Sequence, residues 1–147
     1  MKVFLDTSVL FAAVLSETGG ARLIFKLGEA GAISLWVGPW VLKEAEAVLE
    51  RKSPSSKGYF ALLLDRAKVS TGKEPGKKHL NQALKAISYL PDAQVVAEAI
   101  AIGADYFVSF DRKHIVASPD IGKLPFPVGT PGDFLGWYRE KLVNDIQ

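Results

Sequence analysis

Two apolar runs in this 147-residue chain end in the same way. Lys2-Val3-Phe4-Leu5 leads into Asp6, and Tyr106-Phe107-Val108-Ser109-Phe110 leads into Asp111. Runs of Val, Phe and Leu without polar alternation predict strands buried on both faces, as in a parallel sheet under helices. A carboxylate at the end of such a strand loses hydration unless a cation or hydrogen-bond donors replace it. In open parallel sheets the crevice at the carboxyl ends of the strands is where ligands bind. Each aspartate is therefore either the cap of the next helix or turn, or a ligand of a site.

Asp92 raises the same question on a helix. At 100° per residue, Val95, Val96 and Ala99 fall within about 60° of it, and Gln94 and Glu98 fall opposite. Asp92 is thus expected on the apolar side of a first turn, where an ionised group needs a partner. The competing reading is an N-cap after Pro91, and Glu98 reads as a solvated surface charge. Glu44 and Glu46 flank the Val41, Ala45, Val48, Leu49 stripe on opposite sides, and periodicity does not choose between them. Clustered carboxylates without histidine or cysteine suit hard divalent cations such as Mg²⁺ or Mn²⁺.

The elements that must position these acids alternate. Strands are expected at the N-terminus, over Ile33 to Val37, over Ala104 to Phe110 and around Phe126 to Val128. Helices are expected over Thr7 to Ser16, with Thr7 or Ser8 as cap, over Ala21 to Ala30, and from Pro39 to about Lys52. Others fall over Tyr59 to Lys68, Leu80 to Ser88, Ala93 to Ile102 and Pro131 to Leu142. Ser53 to Gly58 reads as a flexible connection, and Val69 to His79 as an exposed basic loop. The alternation predicts an α/β fold, in a single domain over 1–147.

Composition narrows the chemistry. With 48% hydrophobic and 23% charged residues the chain is an ordinary globular protein. No apolar run approaches the length of a spanning helix, and no signal peptide is evident at the N-terminus, so a soluble cytoplasmic protein is expected. The absence of cysteine excludes disulfides, thiolate metal sites and a cysteine nucleophile. Setting four of the 16 acids into one site leaves 18 basic side chains against 12 acidic, a balance of +6. That would favour a polyanionic substrate brought to a local acidic pocket.

The motifs together resemble the PIN-domain nucleases, the family that includes VapC-type toxins. Phe4-Leu5-Asp6-Thr7-Ser8 is similar to the family's opening strand and Asp-Thr-Ser. Val41-Leu42-Lys43-Glu44-Ala45 matches its helical glutamate. The acid that starts an alanine-rich helix falls at Pro91-Asp92-Ala93, and Gly103-Ala104-Asp105 with Ser109-Phe110-Asp111 matches the later turn and strand end. Gly129-Thr130-Pro131-Gly132-Asp133 resembles the closing helix start. The departures are serine at 109, where threonine is commoner, and a single Asp92 where relatives often carry Pro-Asp-Asp. The segment from about 69 to 88 is the least typical part.

The resemblance implies a three-layer α/β/α sandwich with a mostly parallel sheet, and it selects Glu44 over Glu46. It implies metal-dependent hydrolysis of RNA, leaving a 5′-phosphate and a 3′-hydroxyl, with Asp6, Glu44, Asp92 and Asp111 holding Mg²⁺ or Mn²⁺. Thr7, Ser8 and Ser109 would orient the carboxylates or serve as caps. Arg112, Lys113 and His114, just after Asp111, are candidate phosphate contacts, Arg112 foremost; Lys73, Lys77, Lys78 and His79 are another set. The partners implied are an RNA substrate, a small antitoxin whose basic side chain enters the acidic pocket, and a second copy of the chain. Trp36, Trp40 and Phe60 read as core or interface residues, and Trp137 and Tyr138 as ordinary packing. The alternative function is a PIN-like module that binds RNA or protein without cutting. A haloacid-dehalogenase-like phosphatase with Asp6 as nucleophile would want an acid two residues on, where Ser8 stands.

Overall fold

In a computed structural model, which describes residues 1–146, strands and helices alternate along the chain. Strand β1 (Lys2–Leu5) is followed by helices α1 (Thr7–Leu15) and α2 (Gly20–Glu29), β2 (Ser34–Val37) and α3 (Pro39–Lys52). A 3-10 turn (Pro54–Ser56) leads into α4 (Lys57–Arg66), β3 (Ser70–Thr71), α5 (Lys77–Leu84), α6 (Leu90–Ala101) and β4 (Tyr106–Val108). A π-helical turn (Arg112–Val116), a 3-10 turn (Ile121–Lys123), β5 (Val128–Gly129) and α7 (Pro131–Ile146) complete it. The single-domain expectation reaches one residue past this range, to Gln147.

All strand pairings are parallel, in the order β3-β2-β1-β4-β5. The α/β/α sandwich expected from the sequence is the one observed. β1 lies at the centre, with Phe4 opposite both Trp36 and Phe107. Val3, Phe4 and Leu5 are fully buried, as are Phe107 and Val108, which is why these runs carry no polar alternation. The chain leaves β1 toward β2 on one side and later returns through β4 on the other. The switch between β1 and β4 opens the crevice where Asp6 and Asp111 emerge.

The structure departs from the sequence expectation in several places. The polar segment after Val69 is not all loop, since Ser70–Thr71 pairs with β2 as the sheet edge. Ser53 to Gly58 is not a free connection either. Ser53 Oγ and Ser56 Oγ lie 2.7 Å apart across the 3-10 turn, and α4 begins at Lys57. Helix α5 starts three residues earlier than expected and ends at Leu84. Helix α6 starts at Leu90 rather than Ala93, with Tyr89 as its N-cap, so Asp92 lies on the first turn, as one of its two readings had it, and is not the cap. Phe60 belongs to the core, Trp40 is 42% exposed, and Trp137 packs on Tyr106 and Phe134.

The clearest correction concerns Glu98, expected to be solvated and found 2% exposed. Its carboxylate accepts from the N–H of Trp40 at 2.7 Å and of Val41 at 3.3 Å. These are free donors of the first turn of α3, so Glu98 caps a helix from a distant segment. Burial pushes its carboxyl up to about 7, against the two N–H bonds that favour the charge. Gly38, just before α3, packs against this carboxylate so closely that a Cβ there would overlap it. The helical wheel misplaces Glu98 because α6 is buried nearly all round, by α3 on one side and α5 on the other.

Candidate functional site

Asp6 fills both roles open to it from sequence. Its Oδ1 accepts from Thr7 N–H at 2.8 Å, and its carbonyl accepts from Val9 and Leu10 N–H, so Asp6 and not Thr7 or Ser8 is the cap of α1. Its Oδ2 accepts from the Ser109 hydroxyl at 2.7 Å. Ser109 Oγ in turn accepts from Asp111 N–H at 2.9 Å, so one buried hydroxyl ties the ends of β1 and β4 together. Ser8 Oγ accepts from Phe110 N–H at 3.2 Å and fastens the same junction.

Asp92 comes from the other direction, on the first turn of α6. Helix N–H groups favour a carboxylate there, yet Asp92 Oδ2 is buried with no hydrogen-bond partner among the described residues. Thr7 Oγ1 is buried and unpartnered in the same way. Glu44 extends from α3 on the exposed side. Asp6, Thr7, Glu44, Asp92 and Asp111 line one cavity of about 300 Å³, open to solvent. Glu46 is not among its lining residues and faces the charge of Lys57 instead.

The carboxylates of the cavity disfavour one another's charge, with Lys52 on the same wall. Burial pushes the Asp6 carboxyl up to about 6 despite the Ser109 and Thr7 bonds, and the Glu44 and Asp92 charges act in the same direction. Burial also raises Asp92, with the Asp111 charge next in effect. Converging carboxylates, an orphaned carboxylate oxygen and an orphaned hydroxyl form an all-oxygen donor set of the kind that holds Mg²⁺ or Mn²⁺.

His114 was not singled out from sequence as a member of this group. Asp111 Oδ1 accepts His114 N–H at 2.9 Å at the start of the π-helical turn, and His114 Nδ1 stands 3.4 Å from Asp111 Oδ2. One donor atom each from Asp92, Asp111 and His114 fall within 4.8 Å of one another. The signal in the sequence was the three-residue spacing from Asp111, which one helical turn converts into contact. Arg112 and Lys113, on the same turn, are exposed and do not line the carboxylate cavity. Lys77 instead lines a separate cavity of about 470 Å³ with Trp40, Lys43 and Glu98, and Lys73, Lys78 and His79 line neither that cavity nor the carboxylate one.

Comparison with known proteins agrees with the fold. Residues 2–113 match the family model of the PIN domain, so the chain belongs to the PIN-domain family. At the level of that family it is a hydrolase of the nuclease class. Among solved structures it is similar to VapBC2 from Rickettsia felis, bound to a DNA fragment from the promoter. That match has TM-score 0.65 and 15% identity, covering 88% of this chain and 98% of that one. It is also similar to VapC20 of Mycobacterium tuberculosis, a toxin that cleaves the sarcin-ricin loop, with TM-score 0.55, 18% identity and coverage of 76% and 91%. A protein of Pyrobaculum aerophilum matches with TM-score 0.53 and 13% identity, covering 92% of this chain and 88% of that one. A search of curated proteins finds no match. Among the described residues, no single helix is long and apolar enough to cross a membrane.

Proposed function

We propose that the protein is a metal-dependent endoribonuclease that hydrolyses RNA phosphodiester bonds at the Asp6, Glu44, Asp92 and Asp111 cavity. The observation that carries the reading is the convergence of four carboxylates at the β1–β4 switch with an acceptor of Asp92 left unpartnered. Asp6, Asp92 and Asp111 would hold the ion, with Glu44 at the open side for a second ion or its water. When bound, Mg²⁺ or Mn²⁺ supplies an acidified water and positive charge opposite the scissile phosphate.

The chain's own residues do the positioning. The Ser109 hydroxyl and the Thr7 N–H fix both oxygens of Asp6, which leaves their remaining lone pairs aimed into the cavity. His114 N–H fixes one oxygen of Asp111. Arg112 and Lys113 hold the flanking phosphates, whose approach four bare carboxylates would otherwise repel. By the family and the similarity to VapBC2 and VapC20, we read the chain as the toxin of a type II toxin–antitoxin pair, acting in the cytoplasm as a homodimer.

The test is cleavage of labelled single-stranded RNA by Asp92→Asn and Asp111→Asn. Each should lose at least about 100-fold in rate with Mn²⁺ present, with the far-UV circular dichroism unchanged. Folded variants that cut at the wild-type rate would remove the site from the reaction.

A further inference from the structure

The ion assigned to the carboxylate cavity rests on oxygen donors alone, and the structure places a nitrogen beside them. We infer that His114 is a ligand of this ion through Nδ1, making the centre a mixed carboxylate–imidazole site that favours Mn²⁺ over Mg²⁺. The inference rests on the reading of the cavity as a metal centre.

Three features carry it. His114 Nδ1 lies 3.4 Å from Asp111 Oδ2, longer than an ordinary N–H···O bond. That spacing is close to the roughly 3 Å between adjacent donors around one ion with bonds of about 2.1–2.2 Å. Donor atoms of Asp92, Asp111 and His114 all lie within 4.8 Å, near the span of a single coordination sphere. Asp92 Oδ2 is buried and unpartnered among the described residues, an acceptor open to an ion that the His114 ring would share.

The local fold presents the ring. Residues Arg112–Val116 form a π-helical turn, with Ala117 N–H reaching Arg112 O at 2.8 Å, and such wide turns recur at functional sites. Asp111 accepts the His114 N–H, which tethers the histidine backbone to the acid whose ion its ring would share. The exposed ring of Tyr89, at the entry to α6, lies 5.8 Å from the imidazole. Imidazole raises affinity for transition metals over Mg²⁺, which prefers hard oxygens and retains its waters.

The test is Mn²⁺ binding to the full-length protein by calorimetry and pulsed electron paramagnetic resonance. Wild type should show ¹⁴N modulation from a coordinated imidazole. His114→Ala should lose that signal and weaken Mn²⁺ binding at least about tenfold, while Mg²⁺ binding changes much less. His79→Ala, the other histidine, should keep both. Tight Mn²⁺ binding without ¹⁴N modulation, or with the same affinity in His114→Ala, would overturn the histidine ligand and leave the carboxylate centre standing. No Mn²⁺ binding by wild type would overturn the metal centre and this inference with it.

Discussion

Asp6 accepts two hydrogen bonds and still ionises only near 6, because burial outweighs them. Burial does the same to the capping carboxylate of Glu98; what sets Asp6 apart is that two acids of its own cavity, Glu44 and Asp92, add to the effect. Asparagine caps helices as well as aspartate does, so Asp6→Asn separates the roles. Millimolar Mn²⁺ at about 100 times its Kd should raise the wild-type Tm by roughly 5–10 °C. Asp6→Asn should keep the metal-free Tm and lose the rise. A variant that keeps the full rise would mark Asp6 as a cap alone.

Glu98 supplies the pH dependence. Its folded value, near 7, lies above the ordinary 4.5, so the fold holds its proton more tightly than the unfolded chain. The stability this gives is present below pH 4.5 and is lost as pH rises through 7, to an extent of up to about 3 kcal/mol. Urea unfolding from pH 5 to 8 should therefore show falling stability, with a shallower slope in Glu98→Gln. A slope unchanged in that variant would contradict the assignment. Asp6 and Asp111 were legible because each follows an apolar run, directly after β1 and, past Ser109 and Phe110, after β4. His114 was not, because a turn decides which way it faces.

At the scale of elements, α3 and α6 form the unit that sets Glu44 opposite Asp92. Glu98 on α6 holds the first turn of α3, and Gly38 leaves room for it. Gly38→Ala would drive a methyl group into a buried carboxylate, and urea unfolding should show a loss of at least about 2 kcal/mol. A neutral result would mean that α3 is held by other contacts. The central strands β1, β2 and β4 were readable as continuous apolar runs. Edge strand β3 was not, since Ser70–Thr71 offers two half-polar residues and owes its form to pairing with β2. Helix α6 misled for the opposite reason. Its buried Ala and Val residues span both faces, so its one glutamate looked like the solvent side when it was the side facing another helix's N-terminus.

For the whole molecule, the near-balance of 18 basic and 16 acidic residues conceals a separation of charge. Four acids face one cavity with Lys52 on its wall, while Arg112 and Lys113 stand exposed on the turn that follows Asp111. Removing one phosphate-binding side chain should weaken RNA binding uniformly across sequences and lower the salt slope by about 1. Arg112→Ala with Lys113→Ala should therefore reduce that slope by about 2 in filter binding over 50 to 200 mM salt. An unchanged slope would move the substrate path elsewhere. A parallel sheet between helices was foreseen because the alternation of strands and helices leaves few other architectures, but its order β3-β2-β1-β4-β5 was not. The pairing of particular side chains across 100 residues, such as Ser109 with Asp6, became visible only in three dimensions.

The most direct test of the whole account is cleavage of a labelled single-stranded RNA by wild type and Asp6→Asn, each with Mn²⁺, Mg²⁺ or EDTA. The account predicts cleavage by wild type with metal, none in EDTA, and none by Asp6→Asn under any condition. Cleavage that persists in EDTA or in Asp6→Asn would contradict a metal-dependent reaction at this carboxylate centre.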